Sequence, residues 1–326
     1  MIGTSLAAML AVLAPNPQDL TSGPVPYTAV QSTPAPATTY RGTRVLNDQD
    51  TALFRQGLAA ARARDVAGTQ AVMAQIGDPA ARKLVEWALI DTSGEQLSYA
   101  QLAQAQTSMA GWPRAESRRA ATEKVLDRSS MGADAALSLF ADSPPTTIEG
   151  AIALASAYEQ RGRTDEARAL IRDWWTTQSF DEAPQSRILA RWGGWLTPAD
   201  HEQRLNLLLL GPHGPATRAM VSLVSPDRAA VANAVMNLRT AYSPDAIVAG
   251  LTPAQAGDPA VVLERVRILR SQNRQSEAFP LLASLPPAPS HDTGQNTLWS
   301  ERRNYFLDAL QVGNWRAAYD AMGLMR

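Results

Sequence analysis

The stretch that decides the fold is residues 149–175, EGAIALASAYEQRGRTDEARALIRDWW, where apolar residues recur every three or four positions. A first helix is predicted to end at Gly162, and a second helix, capped by Thr164, is predicted to follow it. The apolar face of the second helix is formed by Ala167, Leu170, Ile171 and Trp174. The pattern predicts a helical hairpin whose apolar face needs a neighbour to cover it.

Two later segments, residues 259–285 and 302–325, repeat this pattern at the same offsets. Asn273 and Gly313 take the place of the turn glycine, and Ser276 is the predicted cap in the earlier segment. The two apolar faces are formed by Ala278, Leu281, Leu282 and Leu285, and by Ala318, Ala321, Met322 and Met325. The repetition indicates that one structural unit recurs along the chain.

A single hairpin cannot bury its apolar face, whereas a stack of hairpins can, as in tetratricopeptide repeats. Residues 51–73 and 215–238 are weaker candidates for further pairs, and Pro280 interrupts the second helix of one pair. No segment alternates polar and apolar residues over a useful length. The sequence therefore predicts an all-α domain over residues 47–326, an irregular superhelix (solenoid) of stacked antiparallel helix pairs that is TPR-like.

Residues 1–46 differ in composition from the rest of the chain. An apolar run at residues 6–13 is too short to span a bilayer, and it ends at Ala14, a small residue at a plausible signal-peptidase position. A Pro/Thr-rich linker, predicted to be disordered, follows it. The pattern lacks an early basic residue, because the first is Arg41. We expect export to the periplasm with a mature chain that begins near Pro15; the alternative is an apolar N-terminus on a cytosolic protein.

Composition excludes several classes of function. The chain contains no cysteine, which removes disulfides, thiolate nucleophiles and zinc ribbons. Its 30 basic residues nearly balance 31 acidic ones, for a formal net charge of -1. No overall positive field therefore favours nucleic acid as a partner, and we expect none.

Two adjacent carboxylate pairs, Asp165 with Glu166 and Asp181 with Glu182, are the candidates for glycosidic chemistry. Neighbouring residues on a helix point apart, and carboxylates in the first turn of a helix favour the helix dipole without any catalytic role. We therefore interpret both pairs as helix starts. No catalytic residue is predicted.

The three histidines are His201, His213 and His291, and none has the spacing of a metal-binding motif. His201 follows a predicted helix start at Thr197 and Pro198. We expect no metal and no cofactor.

Four tryptophans, at positions 174, 175, 192 and 195, are interpreted as core residues. The minority hypothesis is that Trp192 or Trp195 faces carbohydrate.

An ordered series of segments carries a resemblance to a known family. The most specific is LTPADHEQRLNLLL at residues 196–209, which is similar to a "Lt..DH..R.d.LL" pattern. The others are DPAARKLVEW at 78–87, GWP at 111–113, RRAATE at 118–123, the turn and helix at 161–175, residues 259–285 and WRAAY at 315–319. In this order they resemble the N-terminal superhelical region of soluble lytic murein transglycosylases of the alphaproteobacterial type.

The resemblance implies a periplasmic protein of peptidoglycan turnover. Enzymes of that family cleave between N-acetylmuramic acid and N-acetylglucosamine without water, using a glutamate in a C-terminal lysozyme-like domain with Glu-Ser and Gly-Leu-Met-Gln motifs. Here Gly323, Leu324 and Met325 are followed by Arg326 in place of the glutamine, and no Glu-Ser precedes them. The resemblance therefore covers the non-catalytic region, and we expect that this chain alone releases no anhydromuropeptides.

The implied role is to position peptidoglycan glycan strands, or partner proteins, for a catalytic domain outside this sequence. A stand-alone helical-repeat adaptor for protein interactions is the alternative. A third hypothesis is an intact helical enzyme with an unrecognised site.

Overall fold

The computed structural model describes residues 46–285 and 292–322, and within these stretches every regular element is helical and none is a strand. The prediction of an all-α helical-repeat fold is confirmed. The helices are α1 (Asp48–Arg62), α2 (Val66–Met73), α3 (Pro79–Ser93), α4 (Tyr99–Ser108), α5 (Ala115–Arg128), α6 (Ala133–Leu139), α7 (Ile148–Gln160), α8 (Thr164–Thr177), α9 (Glu182–Trp192), α10 (Pro198–Leu209), α11 (Pro215–Met220), α12 (Pro226–Leu238), α13 (Pro244–Ala249), α14 (Pro253–Ala256), α15 (Pro259–Ser271), α16 (Gln275–Ala278), α17 (Asp292–Gln311) and α18 (Trp315–Met322). Short 3-10 segments are Gly94–Gln96, Gly193–Trp195, Val221–Leu223 and Phe279–Ser284.

Several predictions fall on residues that lie outside the described ones. These are the signal-like segment and linker up to residue 45, His291, the segment Gly323, Leu324 and Met325, and Arg326. They stay predictions.

One turn joins the helices of four pairs, namely α1 and α2, α7 and α8, α15 and α16, and α17 and α18. The residue at its centre has a positive φ of 58° to 73°, and these residues are Arg64, Gly162, Asn273 and Gly313. In α7, the N–H of Arg163 donates to the carbonyl of Tyr158 (2.8 Å) and that of Gly162 to Glu159 (2.9 Å). These two hydrogen bonds form the Schellman motif, and the other three turns repeat them. The predicted turn roles of Gly162, Asn273 and Gly313 are confirmed.

The predicted caps Thr164 and Ser276 are wrong, because the second helix begins one or two residues earlier than that prediction assumes. The capping position directly follows the positive-φ residue. Asp65 and Asn314 occupy it in the first and last pairs, where their side chains accept from Gly68 N at 2.9 Å and Ala317 N at 3.0 Å. Arginines occupy it in the other two pairs: Arg163 bonds to Glu166, and Arg274 to Glu277.

The helices pack in sequence order, each pair against the next. Helix α1 packs on α2 and α3, α7 on α5, α6 and α8, α10 on α8 and α12, and α15 on α12 and α16. The largest core cluster runs from α7 to α15 and includes the fully buried Trp175 and Trp192. The weaker candidate at 51–73 is a pair, α1 and α2. Residues 215–238 instead form α11, a 3-10 turn and α12, without a left-handed residue, so this candidate is not a pair of that type.

Three buried arginines donate to backbone carbonyls at or just beyond the end of an earlier helical segment. They are Arg118, Arg204 and Arg302. Their acceptors include Met109 O and Trp112 O after α4, Gln178 O and Phe180 O after α8, and Leu285 O after the 3-10 segment, at 3.0 to 3.4 Å. Carbonyl groups at a helix end have no hydrogen-bond partner within the helix. Each guanidinium therefore supplies donors to carbonyl oxygens that would otherwise be buried without a partner.

A buried carboxylate holds the start of α7. Glu123 of α5 is fully buried and accepts from the backbone N–H and the hydroxyl of both Thr146 and Thr147, at 2.8 to 3.1 Å. Arg119 Nε donates to the same carboxylate at 3.0 Å. A Cβ at Gly150 would lie 2.4 Å from Glu123 Oε2. Glycine is required there because the carboxylate approaches the helix so closely.

The irregularity at Pro280 gives a first testable prediction. Proline has no N–H, and α16 stops at Ala278 and continues as the 3-10 segment that carries the fully buried Leu282. We expect Leu282→Ala to lower the free energy of unfolding by about 2–3 kcal/mol, toward the lower end of the range for buried leucines. The reason is that small residues of the same core cluster, such as Ala278 and Ala318, allow the cavity to shrink by relaxation. Urea unfolding followed by circular dichroism measures it. The exposed Leu307 supplies the control, since Leu307→Ala should change stability by less than about 0.5 kcal/mol; equal losses would refute the packing.

Candidate functional site

The carboxylate pairs lie where the sequence predicts them, at the starts of helices. Asp165 and Glu166 are in the first turn of α8, and Asp181 and Glu182 are at the start of α9; all four are exposed. A hydrogen bond from Arg163 lowers the pKa of Glu166. A glycosidic acid needs the opposite shift, because it must be protonated when it meets the leaving oxygen. The surroundings of Glu166 are therefore the opposite of those that acid catalysis requires.

The two described histidines have structural surroundings. His201 is half-buried against the edge of Trp175, with ring centroids 5.6 Å apart, and the Nε2 atom of His213 is 2.9 Å from Leu209 O. Burial lowers the pKa of both rings. Within residues 46–285 and 292–322, no group of three or more His, Cys, Asp or Glu side chains could hold a metal ion.

The tryptophan cluster belongs mainly to the core. Trp175 and Trp192 are 0% and 2% exposed, and Trp174 is partly buried. Trp195 is half-buried and stacks on Trp192 at a centroid distance of 5.9 Å. Burial removes Trp192 from the minority carbohydrate hypothesis, since a sugar cannot reach its faces.

The start of α10 joins the predicted cap to an ion pair. Thr197 Oγ1 accepts from Asp200 N at 3.3 Å, and Asp200 Oδ2 accepts from Thr197 N at 2.8 Å, which completes a capping box. Arg172 of α8 donates two hydrogen bonds to the same carboxylate, at 3.0 and 3.1 Å. The predicted helix start at Thr197 and Pro198 is confirmed.

Asp200 gives a prediction that depends on pH. Burial raises the pKa of Asp200, but the hydrogen bonds from Arg172 and Thr197 outweigh burial and leave that pKa below its ordinary value. A carboxyl with a lowered folded pKa contributes stability above its unfolded pKa of about 3.9, and loses it as pH falls through the folded pKa. We expect Asp200→Asn to cost about 1 kcal/mol at pH 7, with a difference from wild type that narrows below about pH 4. Urea midpoints measured across this range check it; a constant difference would contradict the assignment.

The exposed apolar side chains concentrate on the last described hairpin, α17 and α18. Six of the nine large apolar side chains exposed among the described residues lie between residues 292 and 322. They are Trp299, Leu307, Val312, Trp315, Tyr319 and Met322. Trp315 and Tyr319 are 71% and 64% exposed and lie four residues apart, so they share one face of α18.

Charged side chains lie next to these aromatic residues. Arg316 Nε donates to Asp320 Oδ2 at 3.1 Å, and the guanidinium of Arg303 is 5.8 Å from the ring centroid of Trp299. Large exposed aromatics rimmed by polar groups are typical of binding surfaces. We call Trp315 and Tyr319 of α18 the aromatic face, and it is the candidate functional site.

Sequence reasoning missed this site although the repeat pattern contained the signal. When Gly162 is aligned with Gly313, Trp315 takes the position of Thr164 and Tyr319 that of Arg168, both of which are exposed polar residues in α8. Aromatic residues at positions that the repeat leaves in solvent are not explained by packing within the hairpin.

Comparison with known proteins leaves the family assignment open. No family model matches the chain, and no curated protein or solved structure matches it. Among the described residues no helix has the length and apolar character needed to cross a membrane. A functional assignment therefore depends on the sequence resemblance and on the surfaces described above.

Proposed function

We propose that this chain is a non-catalytic superhelical region of a periplasmic lytic murein transglycosylase, and that it positions peptidoglycan glycan strands for a catalytic domain outside this sequence. The ordered resemblance from residue 78 to residue 319 supports the family, and the all-α helical-repeat fold agrees with it. The observation that supports a glycan as the ligand is the aromatic face of α18.

Aromatic pairs on one helix face suit a sugar chain. Sugar rings present C–H faces that pack on the π face of Trp or Tyr, while their hydroxyls need polar partners nearby. Residues four apart on a helix are about 6 Å apart along its axis, so Trp315 and Tyr319 offer two adjacent platforms. Arg316 and Asp320, which form an ion pair and each follow one of these rings in the sequence, can bond to hydroxyl or acetamido groups.

In the alternative function, a helical-repeat adaptor for proteins, the same surface would bind a protein partner. Repeat stacks bind proteins through exposed faces, and a contiguous apolar surface also fits a partner helix. The two functions differ in one property: a glycan-binding surface is occupied by neutral sugar oligomers, whereas a protein-docking surface is not.

The test is binding of the purified chain to purified peptidoglycan, with and without a chitin oligosaccharide as competitor. We expect Trp315→Ala and Tyr319→Ala each to weaken binding about fivefold to tenfold, the effect of losing one stacked ring. Tyr242→Ala is the matched control, because Tyr242 is 98% exposed and lies between α12 and α13 rather than on α18, and it should bind as wild type does. Wild-type affinity in all three variants, or no competition by the oligosaccharide, would refute the glycan proposal and favour the adaptor.

The proposed lack of catalysis is tested on the same material. Chromatography of the soluble products should detect no anhydromuropeptides after the chain is incubated with sacculi. Release that is abolished by Glu166→Gln or Glu182→Gln would promote the hypothesis of an intact helical enzyme.

A further inference from the structure

The outward face of α18 repeats the side chains that join the preceding helix pair to its neighbour. In the pair formed by α15 and α16, Phe279 and Leu282 lie six and nine residues after the left-handed turn residue. Leu282 is fully buried in a core cluster shared with α17 and α18, and the ring of Phe279 meets that of Tyr305 in α17 at a centroid distance of 6.2 Å. These two positions therefore hold one pair against the next.

In the last pair the same two positions carry large side chains that are exposed. Tyr319 and Met322 lie six and nine residues after Gly313, and they are 64% and 37% exposed. The sixth position is an exposed arginine in the pair of α7 and α8, but the ninth, Ile171, is fully buried there. Helix α18 itself packs on α17 and on the 3-10 segment Phe279–Ser284. It therefore presents a stacking surface that is left in solvent.

The first helix pair has no apolar surface that matches this one. None of the large apolar side chains exposed among the described residues belongs to α1 or α2. In α1 the position of Tyr305, eight residues before the turn residue, is taken by the exposed Gln56. A head-to-tail stack of copies would therefore place an apolar face on a polar one. Pairing α18 with the α18 of a second copy instead joins two apolar faces, and a two-fold axis closes such a pairing.

The charges beside this face are complementary to those of a second copy. The side chains of Arg316 and Asp320 form an ion pair at 3.1 Å, and each follows one of the exposed aromatic residues. They lie two positions before and two positions after Ala318. When two α18 helices pack antiparallel about a two-fold axis at the level of Ala318, Arg316 of each copy lies level with Asp320 of the other, on the same side of the contact. Opposite charges therefore meet twice.

We propose that the outward face of α18 is an interface between two copies of this chain, packed antiparallel about a two-fold axis. Tyr319 and Met322 of each copy cover those of the other, and Arg316 of each copy pairs with Asp320 of its partner. An eight-residue helix supplies a small contact, so the dimer is weak, with a Kd of about 10–100 µM. A second copy and a glycan would compete for this face, but the pairing does not depend on the proposed function.

Sedimentation equilibrium of the purified chain, without any sugar, tests the pairing at concentrations up to about 300 µM. We expect the wild type to form a dimer and no larger species. Arg316→Glu and Asp320→Arg should each weaken dimerisation about tenfold or more, because each places like charges opposite one another. Arg168→Glu is the matched control and should dimerise as wild type does, since Arg168 is also an exposed arginine with an acidic partner in its own helix, Asp165 at 3.2 Å.

An equimolar mixture of the two charge variants tests the two-fold arrangement. In the mixed dimer every ionic contact again joins opposite charges, so we expect the mixture to dimerise nearly as strongly as wild type. The double variant, Arg316→Glu with Asp320→Arg, should also dimerise, and it decides the test if circular dichroism shows that a single variant disturbs α18. A monomer at every concentration, a mixture no stronger than its separate components with a monomeric double variant, or species larger than a dimer would overturn the proposal. None of these results bears on peptidoglycan binding, which is measured separately.

Discussion

We expect Arg204→Met to lower the free energy of unfolding by about 3–5 kcal/mol. Arg204 of α10 is fully buried, and its Nε donates to Gln185 Oε1 at 2.8 Å. Its remaining nitrogens donate to Gln178 O and Phe180 O, both at 3.2 Å, just beyond the end of α8. The guanidinium also lies 3.7 Å from the ring centroid of Phe180. Methionine fills much of the volume, but it leaves the carbonyls and the amide oxygen buried without donors.

This loss should not depend on pH in the neutral range. Burial lowers the pKa of Arg204 to about 9, so the group stays protonated at pH 6 and at pH 8. The folded pKa of Arg204 is below its unfolded pKa, so above about pH 9 the unfolded state binds more protons than the folded state. The contribution of Arg204 to stability would therefore rise with pH only above about 9. Urea unfolding at both pH values measures the effect, and Arg218→Met is the control, because Arg218 is exposed and has no side-chain bond among the described residues. A loss below about 1 kcal/mol for Arg204→Met would show that water replaces the guanidinium.

Glu123→Gln should cost a comparable amount, about 3–5 kcal/mol, although it changes the side-chain volume very little. The carboxylate of Glu123 has only acceptors, and it faces the N–H and hydroxyl groups of Thr146 and Thr147 and the guanidinium of Arg119. In the amide, one acceptor becomes an NH₂ group that points at donors. The change also removes the negative charge beside the positive end of α7.

The control for Glu123→Gln is Glu116→Gln, in the first turn of the same helix, where the side chain is exposed and makes no ion pair with a described residue. We expect that control to cost less than about 0.5 kcal/mol. Urea unfolding gives the stability, and amide hydrogen exchange should show faster opening at Thr146 and Thr147 in the Glu123 variant alone. Similar losses for the two variants would contradict the assigned role of Glu123.

How far the sequence predicts the structure depends on the range of the interactions. The hairpins were predictable because the turn and the apolar face are set within about fifteen residues, and Asn273 was correctly placed at a left-handed position that glycine occupies in two other pairs. The caps failed by one or two positions, because the Schellman turn transfers capping to the residue that directly follows the left-handed one.

The long-range polar contacts were not predictable from one sequence. Glu123 reaches Thr147, 24 residues later, and Arg204 reaches Gln178, 26 residues earlier, so no local spacing connects them. Arginines and glutamates on helices are ordinarily exposed, and nothing in the periodicity marks these as buried. The aromatic face differs: aligning the repeats identifies Trp315 and Tyr319 at solvent positions, although the alignment alone does not give their exposure.

The buried arginines affect how unfolding spreads along the stack. A repeat array with contacts only between neighbouring faces behaves as a one-dimensional chain of weakly linked units, and its ends can open while its middle persists. Arg204 and Arg302 each anchor one helix to carbonyls at the end of an earlier helical segment. When one unit opens, the buried guanidinium in the adjoining unit therefore loses its hydrogen-bond acceptors. This coupling raises the free energy of partially unfolded states and makes the unfolding transition sharper. A protease would therefore degrade globally unfolded molecules rather than remove terminal repeats one by one.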